Sequence, residues 1–149
     1  MSGTMAAQTG TRGIVQGQGG FSLIELLIVM VILGLLASLV GPKMFGKLGM
    51  AKQKTAKTQI EMLMTALDSY RLDVGKYPSS QDGLEALVQS SGGEKWKGPY
   101  LAKGLPKDPW DNPYHYRNPG EHGEVDIVSY GADNSPGGDG EDADVGSWE

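Results

Sequence analysis

The sequence predicts an α+β protein in which one long N-terminal helix packs on a small antiparallel sheet. Three observations carry this. The run from Phe21 to Val40 holds 20 residues and a single charge, Glu25. Ala56, Ile60, Leu63, Leu67, Tyr70 and Val74 follow at spacings of 4, 3, 4, 3 and 4, which draws one apolar stripe along a helix. Tyr114–Arg117 and Val125–Tyr130 alternate in the manner of strands, and the Gly- and Pro-containing loop between them reads as a hairpin connection.

At 149 residues the chain has the length of about one domain. With 21% charged and 39% hydrophobic residues it is set apart from disordered chains and from multi-span membrane proteins. Its 23 glycines and 8 prolines favour a loop-rich domain over a helical bundle. A net charge of −5 argues against nucleic acid as a partner, because phosphate contacts need a basic face. The absence of cysteine excludes disulfide frameworks, CxxC redox chemistry and thiolate zinc sites. The charge is also uneven. Lys43, Lys47, Lys52, Lys54 and Lys57 follow the apolar run, whereas residues 121–149 hold half of the chain's 18 acidic residues and no Lys or Arg.

The apolar run comes first among the elements. Twenty helical residues span roughly 30 Å, the thickness of a bilayer's hydrocarbon core. Residues 1–20 before it are polar and Gly-rich, with one basic residue, Arg12. A secretory signal cleaved near Ala37 would carry Glu25 inside its apolar region behind a weakly basic start. A plain single-span anchor explains the length but leaves Glu25, costly in a membrane, without a partner. A third reading supplies one. Gly20-Phe21-Ser22-Leu23-Ile24-Glu25 resembles the processing motif of type IV pilin-like proteins. The resemblance implies that a prepilin peptidase removes leader 1–20 between Gly20 and Phe21, that the new terminal Phe21 is methylated, and that helix 21–41 stays in the inner membrane. Cleavage frees an α-amino group of ordinary pKa about 7.7–8.0. Glu25, four residues along, can neutralise the amine of an adjacent subunit when helices stagger in a filament. By charge alone, Lys43–Lys57 would face the cytoplasm; the motif places them on the periplasmic side.

The stripe of residues 42–75 is expected to pack on the domain's own sheet, with Lys52, Lys54 and Lys57 off it on a solvated or inter-subunit face. Gly41-Pro42, Gly46 and Gly49 are points where the helix is expected to kink or melt. Gly75 is a C-cap. Ser79 or Ser80 is expected to cap a short helix with Leu84, Leu87 and Val88 on its apolar face. Trp96, Tyr100 and Leu101 are expected to tuck beneath the loop that follows, and Asp108–Pro113 is turn chemistry. The stretches KYPSSQDGLEAL, DPWDNPYHY and GEHGEVDIVSYGAD resemble the major pseudopilins of type II secretion systems, and the likeness runs over nearly all of Phe21–Trp148. It implies a pilin-like fold with 76–149 as the periplasmic region. It also implies a subunit that polymerises into a periplasmic filament and helps drive folded proteins across the outer membrane. The partners implied are further copies of the chain, minor pseudopilins, the prepilin peptidase and the inner-membrane secretion platform. A type IV pilin of an adhesion or motility fibre is the alternative; such pilins often carry a C-terminal cysteine pair, which this chain lacks.

The last element is the acidic stretch from Tyr130 to Asp144, which concentrates oxygen ligands on a glycine-rich backbone. Calcium takes 6–8 such oxygens, many of them carbonyls. The EF-hand pattern fails, and the residues alone leave a calcium loop and a solvated acidic tail equally open. The family resemblance implies a structural calcium ion held by the side chains of Asp133 and Asp144, the carbonyls of Tyr130 and Ser135, and Asp142 as a further ligand. His115 and His122 read as packing or surface residues, since neither neighbours a nucleophile motif. The chain is therefore expected not to be an enzyme.

Overall fold

The computed structural model of the chain describes residues 3–5, 10 and 19–149. Most of the expected leader 1–20, Arg12 included, lies outside the described residues. The chain divides into two compact units, one ending at Leu39 and the other comprising Val40–Glu149.

Helix α1 (Leu23–Val74) begins in the first unit. Its entry is a capping box. The Ser22 hydroxyl accepts the Glu25 N–H at 3.2 Å, and the Ser22 N–H donates to the Glu25 carboxylate at 2.9 Å. Two of the helix's free amides are thus satisfied by one another's side chains. The apolar side chains from Leu23 to Leu39 are exposed, and by length and composition α1 can cross a membrane.

In the second unit the helix carries Pro42, Gly46 and Gly49 without losing its helical assignment, so the expected melting is not seen. A proline in a helix costs about 3 kcal/mol; the packing of Ala56, Ile60, Leu63, Leu67 and Tyr70, all buried, outweighs it. Gly49 has a packing role: a Cβ there would stand 2.7 Å from Glu141 Cγ. Gly75 ends α1 at φ +94°, with its N–H donating to Arg71 O at 2.7 Å.

The short helix is a 3-10 turn (Gly83–Leu87), and neither serine caps it. The Ser79 hydroxyl instead accepts the Asp82 N–H at 3.1 Å, while the Ser80 hydroxyl accepts the Asn118 N–H at 2.8 Å. Gly83 sits at φ +61°, a conformation that prevents α-helix from running in from Ser80. Leu84 and Leu87 are buried and Val88 half-buried. Leu101 is buried, and Trp96 and Tyr100 pack against the core as expected.

The sheet has three antiparallel strands in the order β1 (His115–Arg117), β2 (Asp126–Ser129), β3 (Val145–Gly146). His115 pairs with Val128, Arg117 with Asp126, and Val128 with Gly146. β2 departs from the expected alternation and is buried at all four positions. Ile127 joins the core with Ile60, Leu63, Leu67 and Leu87. On the other face, the 120–122 turn binds Asp126. β3 follows directly on the acidic stretch that ends at Asp144, in residues to which no element was assigned. It is only two residues long, too short for any periodicity to reveal.

Candidate functional site

Two places carry the expected site residues, one in each unit. In the first, Gly20 and Phe21 lie on exposed, non-helical backbone directly ahead of α1. Such backbone can enter a peptidase cleft without unwinding a helix. Phe21 is 81% exposed. Glu25 is the third helical residue, and its carboxylate receives the Ser22 N–H. An ionised carboxylate offers about four lone-pair sites, so further donors can be accepted there. The Ser-x-x-Glu capping pattern was legible at residues 22–25 and gives Glu25 a local role in addition to the one implied by the resemblance.

The second place is the acidic loop. It is tied down at several points. Ala132 N–H donates to Glu141 O at 2.9 Å, the Asn112 side-chain amide donates to Gly131 O at 2.9 Å, and the Gln53 side-chain amide donates to Gly140 O. The loop closes tightly on itself. A Cβ at Gly131 would stand 2.7 Å from the Asp142 carbonyl carbon, and one at Gly138 would stand 2.7 Å from Asp142 O. Asp133 accepts the Ser135 N–H at 3.1 Å, and Asp144 Oδ2 accepts the Gly137 N–H at 2.9 Å. The Tyr130 ring lies 4.6 Å from that of His115. Asp142 is exposed. Among the described residues no group of three or more acidic or His side chains is placed to hold a metal, so Asp133, Asp142 and Asp144 do not form a three-carboxylate cluster. Asp144 Oδ1, however, is buried without a hydrogen-bond partner. A buried carboxylate oxygen is costly when unpaired, and a cation beside it removes the cost. The tightly wrapped backbone and the free carboxylate oxygen fit a hard, oxygen-seeking ion.

Between β1, β2 and the C-terminal segment lies a cavity of about 450 Å³, lined by both histidines, Asp126, Asp144 and Trp148 among others. His122 stacks on Trp148 at 3.8 Å and 13°, and its Nδ1 lies 3.1 Å from Asp126 Oδ2. Asp126 Oδ2 also accepts the Glu121 and His122 backbone N–H groups at 2.7 and 3.0 Å. Burial pushes the Asp126 pKa up, but the backbone and side-chain hydrogen bonds from His122 and Glu121 together outweigh it and hold the group below its ordinary value. Both histidines therefore have packing roles. Asp108, read only as turn chemistry, is a buried knot: its carboxylate accepts the Trp110 and Asn112 N–H groups and the Ser129 hydroxyl at 3.0, 2.8 and 2.6 Å.

Residues 43–148 match the family described as type II secretion system (T2SS), protein G, and residues 16–41 match the prokaryotic N-terminal methylation motif. The type II secretion system core protein G of Pseudomonas aeruginosa is 47% identical over 136 residues, covering 89% of this chain and 96% of that protein. The protein of the same name from Vibrio cholerae is 46% identical over 135 residues, covering 88% and 92%. Among solved structures, the major pseudopilin from the type 2 secretion system of enterohaemorrhagic Escherichia coli matches with a TM-score of 0.60 and 32% identity, covering 69% of this chain and 87% of that one. With the head and the N-terminal motif both matched, the chain belongs to the type II secretion system protein G family.

Proposed function

We propose that this chain is a major pseudopilin: a subunit held in the inner membrane by the apolar half of α1, with its C-terminal head in the periplasm. Copies stack into a filament whose growth helps drive folded proteins across the outer membrane. The observation that carries this is the methylation motif on exposed backbone at Gly20–Phe21, joined to a head that matches protein G from residue 43 to 148. A prepilin peptidase cuts after Gly20. The secretion platform and minor pseudopilins are the remaining partners. The role is mechanical, with no catalytic step assigned to any side chain.

Glu25 acts at assembly. In the single chain its carboxylate holds one backbone N–H. In the filament it also accepts the free amine of a neighbour's Phe21, a charge-assisted bond stronger than a neutral one. Glu25→Ala is expected to give a processed, membrane-inserted subunit with an intact head and a large loss of filaments, scored by electron microscopy of overexpressing cells. Parent-level filament yield from Glu25→Ala would remove the carboxylate from assembly.

We propose also that the acidic loop holds a structural calcium ion through Asp133, Asp144 and the carbonyls of Tyr130 and Ser135, with Asp142 at its edge. The ion supplies positive charge to a segment without Lys or Arg. The partnerless Asp144 Oδ1 supports this. An ion that binds only the folded loop adds about 2.7 kcal/mol at a hundredfold excess over Kd. The full chain in detergent should melt higher in millimolar calcium than in chelator, and Asp144→Ala should abolish the difference. Identical melting in calcium and chelator would leave the loop an ordinary acidic segment.

A further inference from the structure

Past the apolar run, α1 enters its weakest stretch. Gly41, Pro42, Gly46 and Gly49 fall within nine residues, and both residue types disfavour helix. Little burial offsets them. From Leu23 to Thr55, Gly49 alone is buried among the described residues, and the core stripe starts only at Ala56. What covers Gly49 is the acidic loop. The 3-10 turn Gly140–Asp142 lies against it, so close that a Cβ on Gly49 would stand 2.7 Å from Glu141 Cγ and 3.1 Å from Glu141 Oε1. One turn further on, the Gln53 side-chain amide donates to Gly140 O. Asp144 and Glu149 then share a groove with Gln53, Lys54 and Lys57, so opposite charges border it from both sides. The turn is also part of the loop's own closure: Glu141 O accepts the Ala132 N–H at 2.9 Å, and Gly131 packs on the same carbonyl.

We propose that this turn is a clamp through which the acidic loop holds residues 43–52 of α1 helical, so that an ion ordering the loop also orders the first turns of the helix beyond the apolar run. The inference rests on the calcium reading and adds to it a second element that the ion governs. Residues 131–144 carry five carboxylates and no Lys or Arg, so without a cation the loop repels itself. A loosened loop withdraws Glu141 from Gly49 and Gly140 O from Gln53. The segment left behind is a helix bearing glycine and proline without cover, and such a segment opens locally while the core stripe stays closed. Coupling between two places in a molecule is reciprocal. A change at Gly49 or Gln53 that breaks the clamp therefore weakens the loop's hold on the ion, although neither residue is among the proposed ligands.

Amide hydrogen exchange of the full chain in detergent, in millimolar calcium and in chelator, tests this. In the parent, calcium should slow exchange by at least about tenfold both at residues 131–144 and at residues 43–52. Gly49→Leu pushes the turn away, and Gln53→Ala removes its hydrogen bond without weakening the helix's own propensity. In each variant the calcium effect at 43–52 should fall below about threefold while residues 131–144 still respond, and the calcium Kd should rise by at least about fivefold. The ratio between calcium and chelator is the readout, so a general gain or loss of helix propensity does not imitate the result. A parent whose loop responds to calcium while 43–52 does not overturns the clamp and leaves the calcium reading standing. Variants that keep the parent's calcium effect at 43–52 overturn the assignment to Gly49 and Gln53. No response in either segment of the parent overturns both readings.

Discussion

At the scale of single residues, several side chains that hold the head together were invisible to pattern. Asp108 and Asp126 are buried, and each carboxylate gathers donors from a turn beside it. In the sequence Asp108 was legible only as part of a turn and Asp126 as one acid among many, because nothing in a composition distinguishes a solvated carboxylate from one that is buried among donors. Trp148, to which no role was assigned, covers Gly146, where a Cβ would collide with its ring, and stacks on His122. Asp126 makes an expectation with a definite sign. Its folded pKa is held below the ordinary value of 3.8, so its hydrogen bonds stabilise the head fully above that value. The stabilisation is lost as pH falls through the lower, folded pKa. Thermal melts of the chain on the acid side should show a steeper fall for the parent than for Asp126→Asn, which carries no titrating group there. Parallel acid limbs would mean that the Asp126 carboxylate titrates alike in the folded and unfolded chain.

At the scale of elements, the apolar stripe was the most legible feature. Five of its six residues are buried, and the sixth, Val74, packs against the core. Its period and length made it legible, because a 4-3 spacing sustained over five turns keeps one face of a helix apolar and would scatter over both faces of a strand. Lys54 and Lys57 are exposed, in keeping with a position off the stripe, whereas Lys52, one turn before Ala56 on the buried face, is half-buried and departs from that expectation. Leu63→Ala should lower stability by about 2–5 kcal/mol through the cavity it leaves, whereas Lys54→Ala and Lys57→Ala should change it by no more than about 0.5 kcal/mol. Denaturant midpoints of the three variants decide this, and a lysine as costly as the leucine would misplace the stripe. Short elements were the poorly legible ones. The 3-10 turn at Gly83–Leu87 depends on one positive φ, and β3 depends on the β2 edge it pairs with, at Val128 and Ser129. A local sequence carries neither fact.

At the scale of the whole molecule, the head and the processing motif were recognisable because both are carried by specific residues rather than by composition. The acidic loop was legible only as a concentration of oxygen ligands. What separates a wrapped site from a loose tail is the closure at Gly131 and Gly138 and the burial of one Asp144 oxygen, which are tertiary facts. The proposed scheme joins these parts: a precursor cut at Gly20–Phe21, whose apolar helix would then remain as the filament-forming segment. The intact mass and N-terminal fragment masses of the protein extracted from membranes test that scheme most directly. The expected result is a mature chain beginning at N-methylated Phe21, with Glu25 and the entire apolar helix retained. A chain beginning near Ser38, with the helix removed, would make residues 21–37 a secretory signal and contradict the pseudopilin reading.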